Sequence, residues 1–155
     1  MNVDAARAWT PIGVLRTPFR SRADCPRNGH QGQPPLCRAT LFEAFRPGLQ
    51  GIDGFSHLIV LYWLHQAPPA ELVITPPFHD APVGVFATRA PARPTPVGLS
   101  VVAFEGFDPD GSLRLRYLDC VDGTPLLDLK PYLPTTDSQP DASMGWLAPH
   151  ATRPA

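Results

Sequence analysis

The sequence is short of the features that mark secreted, metal-binding and membrane-spanning proteins. Its three cysteines, Cys25, Cys37 and Cys120, contain no Cys-x-x-Cys pair, so we expect neither a disulfide framework nor a bound metal. The longest apolar run, residues 58–64, is far shorter than the roughly 20 residues that a membrane-spanning helix needs. The N-terminus lacks the basic and then apolar pattern of a signal peptide. We therefore expect a cytoplasmic protein.

Lysine is almost absent, because Lys130 is the only one and the other basic residues are arginines. Residues 1–50 hold seven arginines against three acidic residues, whereas residues 51–155 hold six basic and eleven acidic residues. Guanidinium groups bind phosphate and carboxylate in a bidentate manner and stack on bases. The basic N-terminal third fits either contact with RNA or an arginine-biased genome, and the sequence leaves both explanations open.

Long helices are excluded by the 21 prolines, each of which removes a backbone donor. Short strands and turns remain, and the alternation of apolar residues predicts strands. The turn residues Asp108-Pro109-Asp110-Gly111 predict a hairpin between two of them. The predicted strands are residues 11–18, 38–42, 56–65, 84–88, 97–107, 112–118 and 125–129. We therefore expect an all-β fold, an antiparallel barrel or sandwich with short helical turns only.

At 155 residues the length predicts a single domain, residues 1–155. Three of its loops, residues 24–29, 87–100 and 119–132, concentrate charge with proline or glycine. Loops of this length usually carry function.

The loop of residues 87–100 places Pro91 between Arg89 and Arg93 and Pro94 directly after Arg93. The stiff backbone could present both guanidinium groups to an anion with little loss of entropy on binding. The alternative is an edge loop whose prolines only block strand pairing.

In residues 119–132, three carboxylates, Asp119, Asp122 and Asp128, lie within ten positions of one another. They could orient a cation or ribose hydroxyls. Alternatively, Asp122-Gly123 could be only a solvated hairpin turn, since Asp-Gly is a common turn pair.

Taken together, these segments resemble the TsaA-like family, also called the YaeB or VirR family, which includes the TrmO-type tRNA N6-threonylcarbamoyladenosine methyltransferases. The resemblance covers residues 11–142, which would form the core of the domain and leave residues 143–155 as a tail. Its motifs occur in the family's order. They are Ile12-Gly13-Val14, Cys25-Pro26-Arg27, Gly54-Phe55-Ser56-His57-Leu58, His65-Gln66, residues 84–89, residues 94–100 and residues 122–132.

The resemblance implies a small antiparallel β-barrel that binds S-adenosyl-L-methionine, usually as a homodimer whose interface helps to form the site. The absence of a Gly-x-Gly-x-x-Gly motif agrees with a cofactor site outside the Rossmann fold. Arg27 or Arg89 would pair with the methionine carboxylate, and main-chain groups near Gly123 would read the adenine. The positions that match the family's cofactor-binding residues are Pro26, Arg27, Asn28, His65, Gln66, Arg89, Leu99, Asp122, Gly123 and Thr124. Many members read Pro-Arg-Gln where this sequence has Pro26-Arg27-Asn28, whose amide side chain is shorter.

The implied reaction is the attack of N6 of threonylcarbamoyladenosine, in the tRNA anticodon loop, on the sulfonium methyl group. His65 or Tyr62 would take the proton, although His65 could equally be a hydrogen-bonded histidine at a strand end. Two other functions stay open: a methyltransferase that acts on a smaller substrate, and a regulator that binds S-adenosyl-L-methionine without chemistry.

Overall fold

The structure, a computed structural model, describes residues 9–30 and 32–151. Six strands form a closed barrel in the order β1-β2-β7-β6-β3-β8, and every neighbouring pair is antiparallel. Two further strands, β4 and β5, form a separate two-stranded sheet. The strands are β1 (Gly13–Arg16), β2 (Cys37–Leu41), β3 (His57–Trp63), β4 (Val73–Ile74), β5 (Val83–Gly84), β6 (Val97–Phe107), β7 (Leu113–Arg116) and β8 (Thr124–Pro131).

The antiparallel pairing places a defined set of strand ends at one rim of the barrel. The C-terminal ends of β1, β3 and β7 lie there, together with the N-terminal ends of β2, β6 and β8. Each segment joined to one of these ends therefore starts or finishes at the same rim.

The core of the barrel is built from the alternation of side chains along each strand. In β3, Leu58 and Val60 are fully buried and Tyr62 is 2% exposed. Fully buried leucines of β1, β7 and β8 fill the same space, and each such side chain contributes about 1.5–3 kcal/mol relative to an exposed one. The outward residues Ile59 and Leu61 are only partly buried, so the outer face of this strand is less covered than the inner face.

The predicted fold class is confirmed, because the strands close into a small antiparallel barrel. Helices in the described residues are short: 3₁₀ turns of up to seven residues and one four-residue helix, α1 (Pro134–Asp137). The hairpin predicted from residues 108–111 is also confirmed, since β6 pairs with β7 across it.

One predicted strand, residues 84–88, was wrong beyond its first residue. The chain leaves β5 at Gly84 and forms a 3₁₀ turn at Val85–Ala87. Both the amide and the hydroxyl of Thr88 donate hydrogen bonds to the carbonyl oxygen of Val85, and these bonds curl the segment.

For two of the other strands that end earlier than predicted, β3 and β7, the backbone shows why. The β3 strand stops at Trp63, and a turn follows in which the amide of His65 donates to the carbonyl of Trp63. The β7 strand stops at Arg116 because Tyr117 takes a φ of 81°, which no strand residue adopts. His65 therefore lies outside the strand in which it was predicted.

The segment after α1 packs against the rest of the chain. The indole Nε1 of Trp146 donates to the carbonyl of Ala87 at 2.9 Å, and its ring stacks on Phe78 with centroids 6.1 Å apart. The last four residues of the predicted tail, 152–155, lie outside the described residues. The extent of the domain, residues 1–155, stays a prediction.

Within residues 9–30 and 32–151, no helix combines the length and the apolar character needed to cross a membrane. The same ranges contain no group of three or more His, Cys, Asp or Glu side chains placed to hold a metal ion.

Gly98 allows the ring of Tyr62 to lie across strand β6. The two residues are paired in the β3–β6 ladder, and a Cβ atom on Gly98 would lie only 2.1 Å from Cε2 of Tyr62. Because the ring is buried, it cannot move aside into solvent.

We predict that Gly98→Ala destabilises the fold by about 1–3 kcal/mol, the usual cost of overpacking a core. The matched control is Gly48→Ala, at a position where an added Cβ meets nothing within 4 Å. Its effect should stay within about 0.5 kcal/mol. Urea unfolding followed by circular dichroism measures both, and equal stability of the two variants would contradict the close packing of Gly98 on Tyr62.

Candidate functional site

The three charged loops predicted from the sequence meet at one cleft of about 810 Å³ on the barrel rim. Arg27 enters from the first loop, Arg89 from the second, and Asp119 and Thr124 from the third. A cleft of this size lies within the range of about 300–1,000 Å³ that is typical of small-molecule and cofactor sites.

Most of the sequence-predicted site residues line this cleft. They are Pro26, Arg27, Asn28, Tyr62, Gln66, Arg89, Leu99 and Thr124. Three others, His65, Asp122 and Gly123, are not part of its lining. His65 is exposed just beyond β3, where its Nε2 lies 3.5 Å from the amide nitrogen of Gln66. The individual roles assigned to these residues stay predictions.

Asp122 and Gly123 are held against the end of β1 instead. The Asp122 carboxylate accepts a hydrogen bond from the amide of Thr17 at 3.1 Å and lies 3.6 Å from the guanidinium of Arg16. The amide of Gly123 donates to the carbonyl of Leu15 at 2.9 Å. These contacts match the turn alternative for Asp122-Gly123, and the turn fixes Thr124 at the start of β8.

The first loop is docked tightly on the backbone that follows β7. An added Cβ on Gly29 would lie 1.7 Å from the carbonyl oxygen of Tyr117, so only glycine fits at this contact. The His30 ring stacks on the Tyr117 ring at 4.3 Å with an angle of 6° between the planes, and the side-chain oxygen of Asn28 accepts a hydrogen bond from the His30 amide. The loop therefore presents Arg27 from a fixed base.

His30 and Tyr117 both line the cleft and were not predicted as site residues. The pair Asn28-Gly29 was the only sequence signal for them, because it marks a sharp turn beside Arg27.

The two arginines of the second loop have different contacts. Arg93 Nη1 donates to the carbonyls of Thr88 at 3.0 Å and Ala90 at 3.2 Å, so this guanidinium stabilises the loop. Arg89 is exposed and, within the described residues, forms neither a hydrogen bond nor a salt bridge. Both arginines line the cleft, so the prediction that they are presented to an anion stays a prediction, with Arg89 the less constrained of the two.

Arg27 has a different partner. Its guanidinium carbon lies 5.3 Å from the ring centroid of Phe78, a cation–π distance. Phe78 in turn stacks on Trp146, so the C-terminal segment supports one wall of the cleft.

The cleft also contains a polar cluster formed by the buried side chains of Tyr62 and Ser100 and the partly buried Asp119. The Tyr62 hydroxyl donates to Asp119 Oδ1 at 2.6 Å. The Ser100 hydroxyl lies 2.9 Å from the Tyr62 oxygen and 3.4 Å from the same carboxylate oxygen, within reach of both acceptors. Burial raises the pKa of Asp119, while the hydrogen bonds from Tyr62 and Ser100 and the charge of Arg89 oppose that rise.

The same cluster argues against Tyr62 as a proton acceptor. Burial and the neighbouring Asp119 carboxylate raise the pKa of Tyr62 well above its ordinary value. The phenol therefore stays protonated and acts as a donor to Asp119.

The sequence matches a known protein family and several of its members. Residues 14–138 match the family model described as the tRNA-methyltransferase O N-terminal domain. An S-adenosyl-L-methionine-binding protein of Archaeoglobus fulgidus is 39% identical over 127 residues, which cover 82% of this chain and 90% of that protein. The tRNA (adenine(37)-N6)-methyltransferase of Escherichia coli is 36% identical over 149 residues, which cover 87% of this chain and 61% of that protein.

Solved structures agree with the sequence match. The crystal structure of TrmO from Pseudomonas aeruginosa is similar at a TM-score of 0.75 with 37% identity, covering 90% of this chain and 62% of that one. This chain thus spans less than two thirds of the Escherichia coli and Pseudomonas proteins. The resemblance seen in the sequence motifs is confirmed: the chain belongs to the tRNA-methyltransferase O N-terminal domain family.

Proposed function

We propose that this protein is an enzyme that uses S-adenosyl-L-methionine to methylate tRNA. The observation that carries the proposal is the common cleft that Arg89, Arg27 and the partly buried Asp119 carboxylate all line. The names of the relatives support both halves of it, because one binds S-adenosyl-L-methionine and another methylates an adenine of tRNA.

The charged side chains of the cleft are complementary to the charged groups of S-adenosyl-L-methionine. Arg89 has a guanidinium with no partner within the described residues, and we assign it to the methionine carboxylate. Arg27, held over Phe78, flanks the same cleft. Bound S-adenosyl-L-methionine would supply an activated methyl group beside a positively charged sulfur. The protein's own task is then to align donor and acceptor and to remove one proton.

For the substrate we propose N6 of threonylcarbamoyladenosine in the anticodon loop. The support comes from the Escherichia coli relative, whose name specifies N6 of adenine 37. Arg22, which lines the cleft, and its neighbour Arg20 are exposed and form no salt bridge within the described residues. Such cations suit contact with RNA phosphates. A tRNA substrate also suits action in the cytoplasm.

We also propose a homodimer, as the family resemblance implies. Three large apolar side chains beside the Arg89 loop are strongly exposed: Leu72 by 64%, Val73 by 61% and Phe86 by 76%. The amide of Val85 donates to the carbonyl of Leu72, which keeps the start of β4 beside the turn that carries Phe86. An apolar patch of this kind is suited to burial against a second copy.

Incubation with S-adenosyl-L-methionine labelled in its methyl group, together with total tRNA, tests the proposed function. We expect label in tRNA, located at N6 of the threonylcarbamoyladenosine nucleoside after digestion and mass analysis. Label in a small-molecule fraction instead would support the smaller-substrate enzyme. Binding without any transfer would support the regulator, and either result would reject the proposal.

Replacing Arg89 with alanine should weaken cofactor binding. A hydrogen bond to a charged group contributes about 1.5–3 kcal/mol, so the dissociation constant measured by calorimetry should rise roughly 10- to 100-fold. Arg46→Ala is the matched control, because this substitution removes the same charge and Arg46 lies outside the cleft lining. Equal affinity of the two variants would refute the assignment of Arg89.

The dimer should elute at about twice the 16.9 kDa mass of the chain in size-exclusion chromatography. Phe86→Glu would place a charge in the apolar patch and should shift the elution to the monomer. A wild-type protein that elutes as a monomer, or a variant that stays dimeric, would count against an interface at this patch.

A further inference from the structure

Asp119 is the only carboxylate that lines the cleft within the described residues. It follows β7 closely, at the rim where the three loops converge. The reaction proposed above must lose one proton from the accepting nitrogen, and a carboxylate is a common group for this task.

The two oxygens of this carboxylate have different surroundings. Oδ1 accepts the hydrogen bond from Tyr62 at 2.6 Å and has the Ser100 hydroxyl at 3.4 Å. Oδ2 has no hydrogen-bond partner within the described residues. It is nevertheless not a buried unpaired atom, because part of its surface is exposed to solvent. Oδ2 is therefore accessible from the cleft, while Oδ1 is held in place by Tyr62 and Ser100.

We propose that Asp119 is the proton acceptor of methyl transfer and that Tyr62 and Ser100 are positioning residues that hold it. This inference rests on the proposed function. The lone pair of the accepting nitrogen forms the new N–CH₃ bond as the S–CH₃ bond breaks, and the bonding electrons of that bond stay on sulfur as a neutral thioether. The proton of the nitrogen passes to Oδ2 of Asp119, which balances the charges.

The groups around Asp119 are compatible with an ionised carboxylate. Burial raises the pKa of Asp119, and Tyr62, Ser100 and Arg89 counteract that rise. The pKa of the Cys25 and Cys120 thiols is itself raised, chiefly by burial and in part by Asp119, so both thiols stay neutral beside it. Asp119 thus combines a raised pKa with an open oxygen, the pairing that a general base requires.

Asp119→Asn tests the role directly, because it keeps an oxygen for Tyr62 and removes the basic oxygen. We expect kcat for tRNA methylation to fall by about 10²–10⁴-fold, the usual contribution of a general base. The matched control is Asp53→Asn, which removes the same charge from an exposed 3₁₀ turn outside the cleft and should keep wild-type kcat. Thermal unfolding checks that both variants are folded.

The pH profile of kcat supplies a second readout that a purely structural role would not move. Activity needs the ionised carboxylate, so it should fall at low pH along a limb set by the pKa of Asp119. Tyr62→Phe removes a hydrogen bond that lowers this pKa, so the limb should move to higher pH. Ser100→Ala should move it less, because its hydroxyl lies at 3.4 Å rather than 2.6 Å.

The outcomes separate this inference from the proposed function. If wild type methylates tRNA and Asp119→Asn is as active as Asp53→Asn, the role of Asp119 is overturned and the proposed function stands. If the acid limb stays in place in Tyr62→Phe, the positioning role is overturned. If wild type transfers no methyl group to tRNA, both the proposed function and the inference fall.

Discussion

Closure of the barrel by antiparallel pairing is the constraint on which the rest of the structure depends. Because β1 pairs with both β2 and β8, the sheet has no free edge, and the ends of its strands are fixed at one rim. Loops that are distant along the chain then meet there, and contacts such as the stack of His30 on Tyr117 hold them in place. The prolines that exclude long helices also stiffen these loops, so the cleft is formed before any ligand arrives.

Tyr62 links the core of the barrel to the chemistry of the cleft. Its ring is buried against Gly98, and its hydroxyl reaches the carboxylate at the cleft floor. A side chain packed in this way has little freedom to rotate, which fixes the direction of its hydrogen bond to Asp119. Tyr62 therefore both packs the core and positions the proposed base.

The sequence predicted most of the strands and identified the three loops because both follow from local pattern: alternation for the strands, and proline, glycine and charge for the loops. The expectation that the loops contribute to one site came from the family resemblance instead. It could not separate Arg89 from Arg93, or Asp119 from Asp122, since each pair has the same chemistry. Their roles are decided by contacts made across the fold, such as the loop carbonyls that bind Arg93 and the amide of Thr17 that binds Asp122. The stack of His30 on Tyr117 was missed for the same reason, because those rings lie far apart in the chain.

The most direct test of the central claim, that distant loops form one cofactor cleft, is nuclear magnetic resonance of the ¹⁵N-labelled protein titrated with S-adenosyl-L-methionine. The account predicts that amide signals of residues 27, 89 and 124 shift together at one saturation point, while those at the opposite barrel rim, such as residues 41 and 129, stay in place. Shifts confined to one of the three loops, or centred on the opposite rim, would contradict it.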